Sequence, residues 1–475
     1  MADPRRRGQR GRRSGGRPPA RAGVDAPRAA AYEVLRAVRV DDAYTNLALP
    51  PALERHGLSG RDAAFATELA SGTLRRRGTY DLVLAACIDR PLAKVEAKVL
   101  DALRLGAHQL LSMRVPAHAA ISTTVDLVRA RAGGGPAGFA NAVLRRVSER
   151  DLADWVRLVA PADPRGFAAV AHAHPRWVVD ALAEALGPRA DELDDLLAAD
   201  NAAPRVTLVA RPGLAEVAEL VAAGGTASPQ SPYAVELAGG DPGAVPAVGQ
   251  GRAGVQDEGS QLVALALASL PLEGADDTWL DLCAGPGGKA TLLAAMAAQR
   301  GARLLAVERA PHRAGLVRRS TRPASPGMLG VVAADGTVPA WASDRFDRVL
   351  VDAPCTGLGA LRRRPEARWR RTPEDLTDLV PLQRSLLSAA VTAARSGGVV
   401  AYATCSPVLA ETVGVVEAVL AERGDAELVD ASGLLPGVTD AGGPLPGTLQ
   451  LWPHRHGTDA MFVALLRRRP GDRIG

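Results

Sequence analysis

One stretch decides the fold of this 475-residue chain: Trp279-Leu-Asp281-Leu-Cys-Ala-Gly285-Pro-Gly287-Gly288-Lys289-Ala-Thr-Leu292. An apolar run ends in a carboxylate, a glycine-rich turn follows, and an Ala- and Leu-rich helical pattern begins. This order predicts a β-strand, a tight loop and a helix of a doubly wound α/β domain, in which ligands bind at the carboxyl ends of the strands. The glycines let the backbone approach a ligand, and the start of the helix offers free N–H groups.

The turn matches neither the phosphate loop, G-x-x-x-x-G-K-[ST], nor the dinucleotide fingerprint, G-x-G-x-x-G. Its pattern, D-x-x-A-G-x-G-G-K, instead resembles the first motif of methyltransferases that use S-adenosylmethionine (SAM). A glycine-rich loop without a ligand is the alternative interpretation of this turn taken alone. SAM carries no phosphate, so a turn that lacks the phosphate-loop spacing suits it.

Composition narrows the class of protein. The length predicts two or three domains, and a hydrophobic content of 47% is enough for packed cores. No apolar run reaches the ~18 residues of a membrane span, and the Arg-rich amino terminus lacks the apolar centre of a signal peptide. The four cysteines form no C-x-x-C pair of a zinc site. We therefore expect a cytoplasmic protein, without membrane contact and without a metal ion.

The charge of the chain favours a polyanionic partner, because the formal net charge is +5. Arginine runs are nevertheless weak evidence, since abundant Ala, Gly and Arg indicate a GC-biased genome. Lysine occurs only at Lys94, Lys98 and Lys289. Lys289, in the glycine-rich turn, is therefore informative in a chain that nearly always uses Arg.

The pattern along the chain predicts four segments. Residues 1–24 combine Arg with Gly, Pro and Ser, cannot bury apolar surface, and are expected to be disordered. Residues 25–150 repeat apolar side chains at helical spacing and are predicted to be an all-α domain. Residues 151–250 are predicted to form a small α/β connector. In residues 251–470 strands alternate with helices, which predicts a mostly parallel sheet in a Rossmann-like domain.

The helical segment contains three phrases with a family likeness: Arg61-Asp62-Ala-Ala-Phe65-Ala-Thr-Glu68-Leu69, Gly72-Thr73-Leu74-Arg75, and Phe139-Ala-Asn141-Ala-Val-Leu144-Arg145-Arg146. They resemble the NusB-type RNA-binding domain. The resemblance implies an RNA partner. Two basic clusters, Arg75–Arg77 and Arg145–Arg146, are then expected to contact phosphates, with solvated helix faces as the alternative.

Acids follow the first four strands predicted after residue 275. These strands end at Asp281, Glu308, Asp335 and Asp352, the third being Val331–Asp335. A carboxylate at the end of the strand after a glycine-rich turn is placed to bind ribose hydroxyls. We expect Glu308 to bind the ribose of SAM and Asp335 its adenine amino group, with simple helix capping as the alternative. The loop expected to surround the methionine part comprises Cys283, Ala284, Gly285, Pro286, Gly287, Gly288 and Lys289.

Two cysteine motifs follow the fourth and fifth predicted strands: Asp352-Ala-Pro354-Cys355-Thr-Gly357 and Tyr402-Ala-Thr404-Cys405-Ser406-Pro407. Isolated free cysteines are usually inert apolar residues. Methylation of carbon 5 of a pyrimidine, however, requires a nucleophile, because that carbon attacks a sulfonium methyl group only after a thiolate has added to carbon 6. A carboxyl group near the ring nitrogen would stabilise the charge that develops. The two strand ends together supply a carboxyl group and two thiols.

These motifs, with D-L-C-A-G-P-G-G-K before them, resemble the Nop/Sun family of RNA cytosine-C5 methyltransferases. Together with the NusB-like domain they are most similar to the RsmB/Sun type, which methylates 16S ribosomal RNA (rRNA). The resemblance covers nearly everything from Pro27 to a last strand at Ala460–Leu466, and it implies a seven-stranded catalytic sheet. It also implies that Cys405 is the nucleophile and that Cys355 assists product release. Asp352 then contacts SAM and the base, and Lys289 supports the same pocket.

Two features depart from this pattern or extend it. Glu411-Thr412 stands where the family often has Glu-Asn, which leaves a contact on the substrate side in doubt. The run Arg362-Arg363-Arg364-Pro-Glu-Ala-Arg368-Trp369-Arg370-Arg371 combines cations with an aromatic ring, as a groove for single-stranded RNA would. A solvated run of charges is the alternative interpretation of this segment.

Three functions remain open on the sequence. The favoured one is a monomeric 16S rRNA cytosine-C5 methyltransferase. The second is the same chemistry on transfer RNA, which the catalytic motifs allow equally. The third is a non-catalytic RNA-binding factor in ribosome assembly, against which the four residues Lys289, Asp352, Cys355 and Cys405 argue.

Overall fold

The structure, a computed structural model, describes residues 23–469, which form three packed units. These are a helical bundle, a connector with a small sheet, and an α/β domain with a larger sheet. The predicted fold class is confirmed. The predicted Arg-rich tail, residues 1–24, lies almost wholly outside the described residues. Residue 470, the predicted end of the Rossmann-like domain, also lies outside them. In the described part of the chain, no helix is both long and apolar enough to cross a membrane.

The helical bundle begins with a capped helix. The Asp25 carboxylate accepts a hydrogen bond from the Arg28 N–H at 3.0 Å, and Pro27 stands in the first turn. Val34 and Leu35 are buried, so one face of this helix packs against the core, as the spacing of its apolar residues predicts. The helices are α1 (Ala26–Val40), α2 (Thr45–Arg55), α3 (Gly60–Arg75), α4 (Arg77–Cys87), α5 (Ala97–Leu111), α6 (Ala117–Ala132) and α7 (Ala137–Val147).

The connector consists of a helical part and an antiparallel sheet. Its helices are α8 (Leu152–Val159), α9 (Pro164–Ala171), α10 (Arg176–Leu186), α11 (Leu193–Ala199), α12 (Val217–Ala222) and α13 (Pro246–Gly249). Its strands are β1 (Val206–Ala210), β2 (Gly225–Ala227), β3 (Ala234–Leu237) and β4 (Ala253–Val255), in the order β2-β3-β1-β4. The sheet therefore extends past residue 250, where the sequence divides the connector from the catalytic segment.

The larger sheet lies in the α/β domain. Its strands are β5 (Thr278–Asp281), β6 (Arg303–Val307), β7 (Met328–Val332), β8 (Phe346–Asp352), β9 (Ala394–Thr404), β10 (Ala426–Val429), β11 (Leu449–Gln450) and β12 (Phe462–Arg468). The seven predicted strands follow the order β10-β12-β9-β8-β5-β6-β7, and the two-residue β11 adds an eighth strand beside β12. Strands β5 to β9 pair in parallel, whereas β12 is antiparallel to β9. The chain switches sides between β5 and β8, so a ligand crevice is expected at their carboxyl ends.

Helices cover both faces of this sheet and bury its strands. They are α14 (Glu258–Ser269), α15 (Gly288–Ala298), α16 (Pro311–Thr321), α17 (Ala367–Arg370), α18 (Asp375–Ala393), α19 (Val413–Glu422) and α20 (Pro453–His456). Trp279 and Leu280, at the centre of β5, have no exposed surface. Because both faces are covered, the parallel strands read as continuous apolar runs rather than alternating ones.

One prediction of a strand end is wrong. The third strand, predicted as Val331–Asp335, is β7 and ends at Val332. The last residue of β6, Val307, pairs with Val332. The backbone beyond Val332 therefore has no neighbouring strand to pair with, and Asp335 lies in the turn that follows.

Residues 361–371, the docking segment, join the α/β domain to the other two units. Glu366 accepts hydrogen bonds from the N–H and hydroxyl of Thr45, the first residue of α2. Helix α2 has no side-chain cap of its own, so a carboxylate from a distant part of the chain caps its positive end. Trp369 donates its indole N–H to the Leu74 carbonyl at 2.9 Å. These contacts hold the helical bundle against the α/β domain.

The docking segment also reaches into the connector. Arg368 is completely buried, and its guanidinium donates to the Ala173 carbonyl, the Asn201 side chain and the Asp200 carbonyl. Burial of a guanidinium is tolerated only when its N–H groups find such acceptors. Arg370 likewise donates to the carbonyl of Val38, in the helical bundle.

The sequence predicts that this segment lines a groove for single-stranded RNA, and for most of its residues that prediction is wrong. The alternative, a run of solvated charges, is wrong for the same residues. The side chains of Trp369 and of all but one arginine donate hydrogen bonds to other parts of the protein. The exception is Arg364, which is exposed. Of the two basic clusters predicted in the bundle, Arg75 is buried, whereas Arg145 is exposed.

Gly78 provides a test of this domain contact. A Cβ atom at Gly78 would lie 2.2 Å from Cη2 of Trp369. We expect Gly78→Ala to lower the stability of the full chain by about 1–3 kcal/mol, the usual cost of overpacking. Thermal unfolding by calorimetry measures this change. The matched control is Gly138→Ala, because Gly138 is likewise the second residue of its helix and has no atom near its Cβ position. Equal melting temperatures for the two variants would contradict the contact.

Candidate active site

Parallel strands bring the predicted catalytic residues to one edge of the sheet. Asp281 ends β5, Asp352 ends β8, and Cys405 directly follows β9. Lys289 is the second residue of α15, whose N-cap Gly287 has a positive φ of 118°. The helix thus starts earlier than the apolar pattern indicates, and its first turn faces this edge.

Lys289 and Asp352 form an ion pair with 2.8 Å between Nζ and Oδ2. Burial alone would lower the pKa of Lys289, but the charge of Asp352 and the hydrogen bond to it raise that pKa above its ordinary value. The lysine is therefore a fixed cation. The second carboxylate oxygen of Asp352, Oδ1, makes no hydrogen bond within residues 23–469 and is available to another group.

The two thiols of the cysteine motifs lie together, with 3.5 Å between the Sγ atoms of Cys355 and Cys405. The pKa of Cys405 is lowered, first because Cys355 donates a hydrogen bond to it and then because Arg364 and Lys289 place positive charge nearby. The same hydrogen bond, together with burial, raises the pKa of Cys355 well above its ordinary value. Cys405 is consequently the more acidic thiol of the pair, and Cys355 keeps its proton more firmly.

Glu411 holds the loops of both cysteines, a role that the sequence did not reveal. It is completely buried and accepts hydrogen bonds from the N–H and hydroxyl of Thr356 and from the Gln383 amide. The Thr356 hydroxyl lies 3.0 Å from that of Ser406, the residue after the second cysteine. Glu411 therefore fixes one loop against the other, and no direct contact with a substrate is open to its side chain.

The glycine-rich loop forms a cradle at the ends of β5 and β6. A Cβ at Gly285 would lie 2.0 Å from Oε2 of Glu308, so only glycine fits beside this carboxylate. Arg313 donates to the Gly285 carbonyl at 2.8 Å and lies 3.4 Å from Glu308. Glu308 is buried at the end of β6, as predicted, and Ala310 donates its N–H to it.

An unpartnered carboxylate oxygen in the same region fits a cationic ligand. Asp281 is buried, and its Oδ2 has no hydrogen-bond partner within the described residues. Burial first, and then the charge of Asp352, raise the pKa of Asp281 to about 7. The amino and sulfonium groups of SAM are cationic, so the donor set of this cradle, carboxylates beside a close backbone approach, fits SAM.

The carboxylate of Asp335 already has a partner in the protein, and the side chain of Cys283 is a shielded thiol. The Asp335 carboxylate accepts hydrogen bonds from the N–H and hydroxyl of Thr337, which also lower its pKa. Burial, followed by the charge of Asp281, raises the pKa of the Cys283 thiol well above its ordinary value, so this third cysteine stays a neutral thiol. Within residues 23–469, no three His, Cys, Asp or Glu side chains cluster in a way that could hold a metal ion.

Comparison with known proteins agrees with this geometry. The family described as "16S rRNA methyltransferase RsmB/F" matches residues 269–467, and the NusB family matches residues 25–149. The "Ribosomal RNA small subunit methyltransferase B" of Pseudomonas putida is 33% identical over 93% of this chain and 98% of its own length. The chain belongs to the RsmB/F methyltransferase family. It is therefore a SAM-dependent RNA methyltransferase.

Other relatives of this RsmB/F-family methyltransferase cover it equally fully. The Mycobacterium tuberculosis protein Rv1407, whose name gives a methyltransferase without a substrate, is 53% identical over 95% of this chain and 98% of its own length. The crystal structure of PH0851 superposes with a TM-score of 0.79 at 21% identity, covering 94% of this chain and all of that one. At that identity the superposition establishes the fold alone.

The pairing of the two thiols predicts how they react with an alkylating agent. We expect iodoacetamide to modify Cys405 with a midpoint pH below that of an ordinary thiol. In Cys355→Ala the midpoint should rise, because the S–H donor that stabilises the thiolate is gone. Mass spectrometry of each cysteine across a pH series measures this shift. Cys87 is the internal control, since burial raises its pKa to about 11. An unchanged midpoint would contradict the hydrogen bond.

Proposed function

We propose that this methyltransferase modifies carbon 5 of a cytosine in 16S rRNA through a covalent bond between Cys405 and the base. The observation that carries the proposal is the acidic thiol of Cys405 beside a proton-holding partner, Cys355, and the Lys289–Asp352 ion pair. The names of the RsmB/F family and of the relative in Pseudomonas putida support rRNA as the substrate. We also propose that the protein acts in the cytoplasm as a monomer.

The first step is the addition of the Cys405 thiolate to carbon 6 of the cytosine. Electron density moves onto the ring nitrogen beside the carbonyl, this nitrogen takes up a proton from solvent, and the free Oδ1 of Asp352 accepts a hydrogen bond from the N–H so formed. Lys289 keeps this carboxylate in position and balances its charge. Carbon 5 then becomes nucleophilic enough for methylation. SAM supplies the methyl group when it is bound.

The residues we propose to hold SAM are the backbone from Cys283 to Lys289, Glu308 at the ribose, Asp335 at the adenine, and Asp352. Asp281 joins this set because of its unpartnered oxygen. Glu308 is the stronger of the two nucleoside ligands, since it is buried against Gly285. Asp335 is the weaker one, because Thr337 already occupies its carboxylate.

Release of the product reverses the addition. The proton leaves carbon 5, the bond between carbon 6 and sulfur breaks, and Cys405 returns as a thiolate. We assign Cys355 to this step. Once Cys405 is bound to carbon it no longer accepts the Cys355 hydrogen bond as an anion, so the main cause of the raised pKa of Cys355 is removed. The pKa of Cys355 then falls toward that of an ordinary thiol, so Cys355 can lose its proton to solvent and, as a thiolate, accept the proton from carbon 5.

Bisulfite sequencing of RNA from a deletion strain tests the substrate. We expect one cytosine of 16S rRNA to lose its protection, and we expect the wild-type gene, but not Cys405→Ala, to restore it. Loss of protection in a transfer RNA would favour the second function. Unchanged protection everywhere, with the protein expressed in the parent strain, would favour a non-catalytic RNA-binding factor.

Variants of the two thiols test the mechanism. Cys405→Ala should form no covalent complex with RNA and should have no activity, because the nucleophile is absent. Cys355→Ala should form the covalent bond but fail to break it, so a protein–RNA adduct should accumulate. Denaturing gels after incubation with substrate RNA and SAM measure both. An adduct with Cys405→Ala and none with Cys355→Ala would reverse the two roles.

A further inference from the structure

Arg364 is the one arginine of the docking segment whose guanidinium has neither a hydrogen bond nor an ion pair within the described residues. Its neighbours Arg362 and Arg363 are neutralised by Asp257 and Asp459, with N–O distances of 2.6 to 3.8 Å. Arg364 forms no ion pair within residues 23–469, and its side chain is exposed. An exposed guanidinium without a carboxylate partner can bind an anion through its free N–H groups.

The backbone of Arg364 belongs to the same turn of chain that is hydrogen-bonded to Cys405. The Gly359 N–H donates to the carbonyl of Cys405 at 2.8 Å, and the Arg364 N–H donates to the carbonyl of Ala360 at 3.0 Å. Arg364 therefore follows shortly after Gly359, the residue whose backbone is hydrogen-bonded to Cys405. Its positive charge also contributes to the lowered pKa of the Cys405 thiol.

The side chain of Arg364 is held by a residue of the helical bundle. Its guanidinium lies over the ring of Tyr44, 5.1 Å from the centroid. Tyr44 is in turn fixed, because Glu366 caps Thr45 beside it and Arg370 donates to the carbonyl of Ala43 on its other side. A guanidinium that lies over a ring keeps its N–H edge free for a second partner.

We propose that Tyr44 holds Arg364 beside Cys405 as the anchor for one phosphate of the RNA strand next to the target cytosine. The helical bundle then helps to build the active site in addition to any RNA contact of its own. The proposal rests on RNA methylation at Cys405, as set out above. A phosphate is the occupant because arginine binds its oxygens through two parallel hydrogen bonds, and RNA supplies one at every nucleotide.

The test is the salt dependence of RNA binding. The probes are transcribed 16S rRNA and a labelled single-stranded, cytosine-containing oligoribonucleotide, both bound to the full-length protein. We expect Arg364→Ala to weaken binding several-fold and to reduce the slope of log affinity against log salt by about 0.7, the value for one phosphate contact on a single strand. Arg364→Lys should keep nearly the wild-type slope, because it keeps the charge.

Tyr44 variants test how the arginine is held. Tyr44→Phe keeps the ring and should behave like wild type, whereas Tyr44→Leu should show a smaller version of the Arg364→Ala loss. The double variant Tyr44→Leu with Arg364→Ala should be no worse than Arg364→Ala alone, since Tyr44 acts on RNA through Arg364. Arg370 also lies over the Tyr44 ring, 5.4 Å from its centroid, so thermal melting must show that the Tyr44 variants remain folded at the assay temperature. The control is Arg303→Ala, because Arg303 is exposed at the opposite, amino-terminal end of β6 and has no ion pair among the residues described.

Two results would overturn the proposal. One is an Arg364→Ala variant with wild-type affinity. The other is weakened binding with an unchanged salt slope, which would mean that the guanidinium stacks on a base rather than contacting a phosphate. These results are independent of the reaction itself. If wild-type protein binds RNA but methylates no cytosine, the proposed function fails even if the salt slope still changes as expected.

Discussion

The ion pair between Lys289 and Asp352 is the interaction on which the active site depends. It crosses the point where the sheet switches sides, and so ties the start of α15 to the end of β8. Both partners are largely shielded from water, and a buried charge that loses its partner is strongly destabilising. The ion pair thereby links the glycine-rich loop to the end of the strand that leads into the Cys355 motif. The compact ammonium group of lysine suits this place better than a guanidinium fork would.

Glu411 imposes the second constraint, on the geometry of the thiols. A reacting group displaced by about 1 Å can lose most of its effect, so a nucleophile needs support from side chains that are themselves fixed. Glu411 provides it by binding Thr356, the residue after Cys355, while the Tyr402 hydroxyl donates to the Glu411 carbonyl at 2.7 Å. Two loops from different strands thereby form one rigid unit.

Much of the fold was visible in the sequence because it is encoded locally. Apolar spacing, glycine breaks and acids at strand ends predicted the bundle, the sheet and the placement of Lys289, Asp352, Cys355 and Cys405. Glu308 also lies at the end of its strand. Asp335 does not, because the length of β7 is limited by its neighbour β6, and a pairing partner is not part of a strand's own pattern.

The functions of the docking segment and of Glu411 could not be predicted for a related reason. An arginine run looks alike whether it faces RNA or other parts of the same protein. Arg368 and Trp369 are buried only because the connector and the helical bundle approach them from far away in the sequence. The residue types in the segment and their spacing do not indicate which distant parts of the chain pack against it.

The cap on α2 has a consequence for the order in which the protein is made. Thr45 and Glu366 are 321 residues apart. At the usual 5–20 residues per second of synthesis, the helical bundle leaves the ribosome tens of seconds before its cap exists. During that interval the first N–H groups of α2 have only water as an acceptor. The helical bundle is thus completed by a domain that is synthesised after it, and the bundle reaches its final form only when the docking segment has been made.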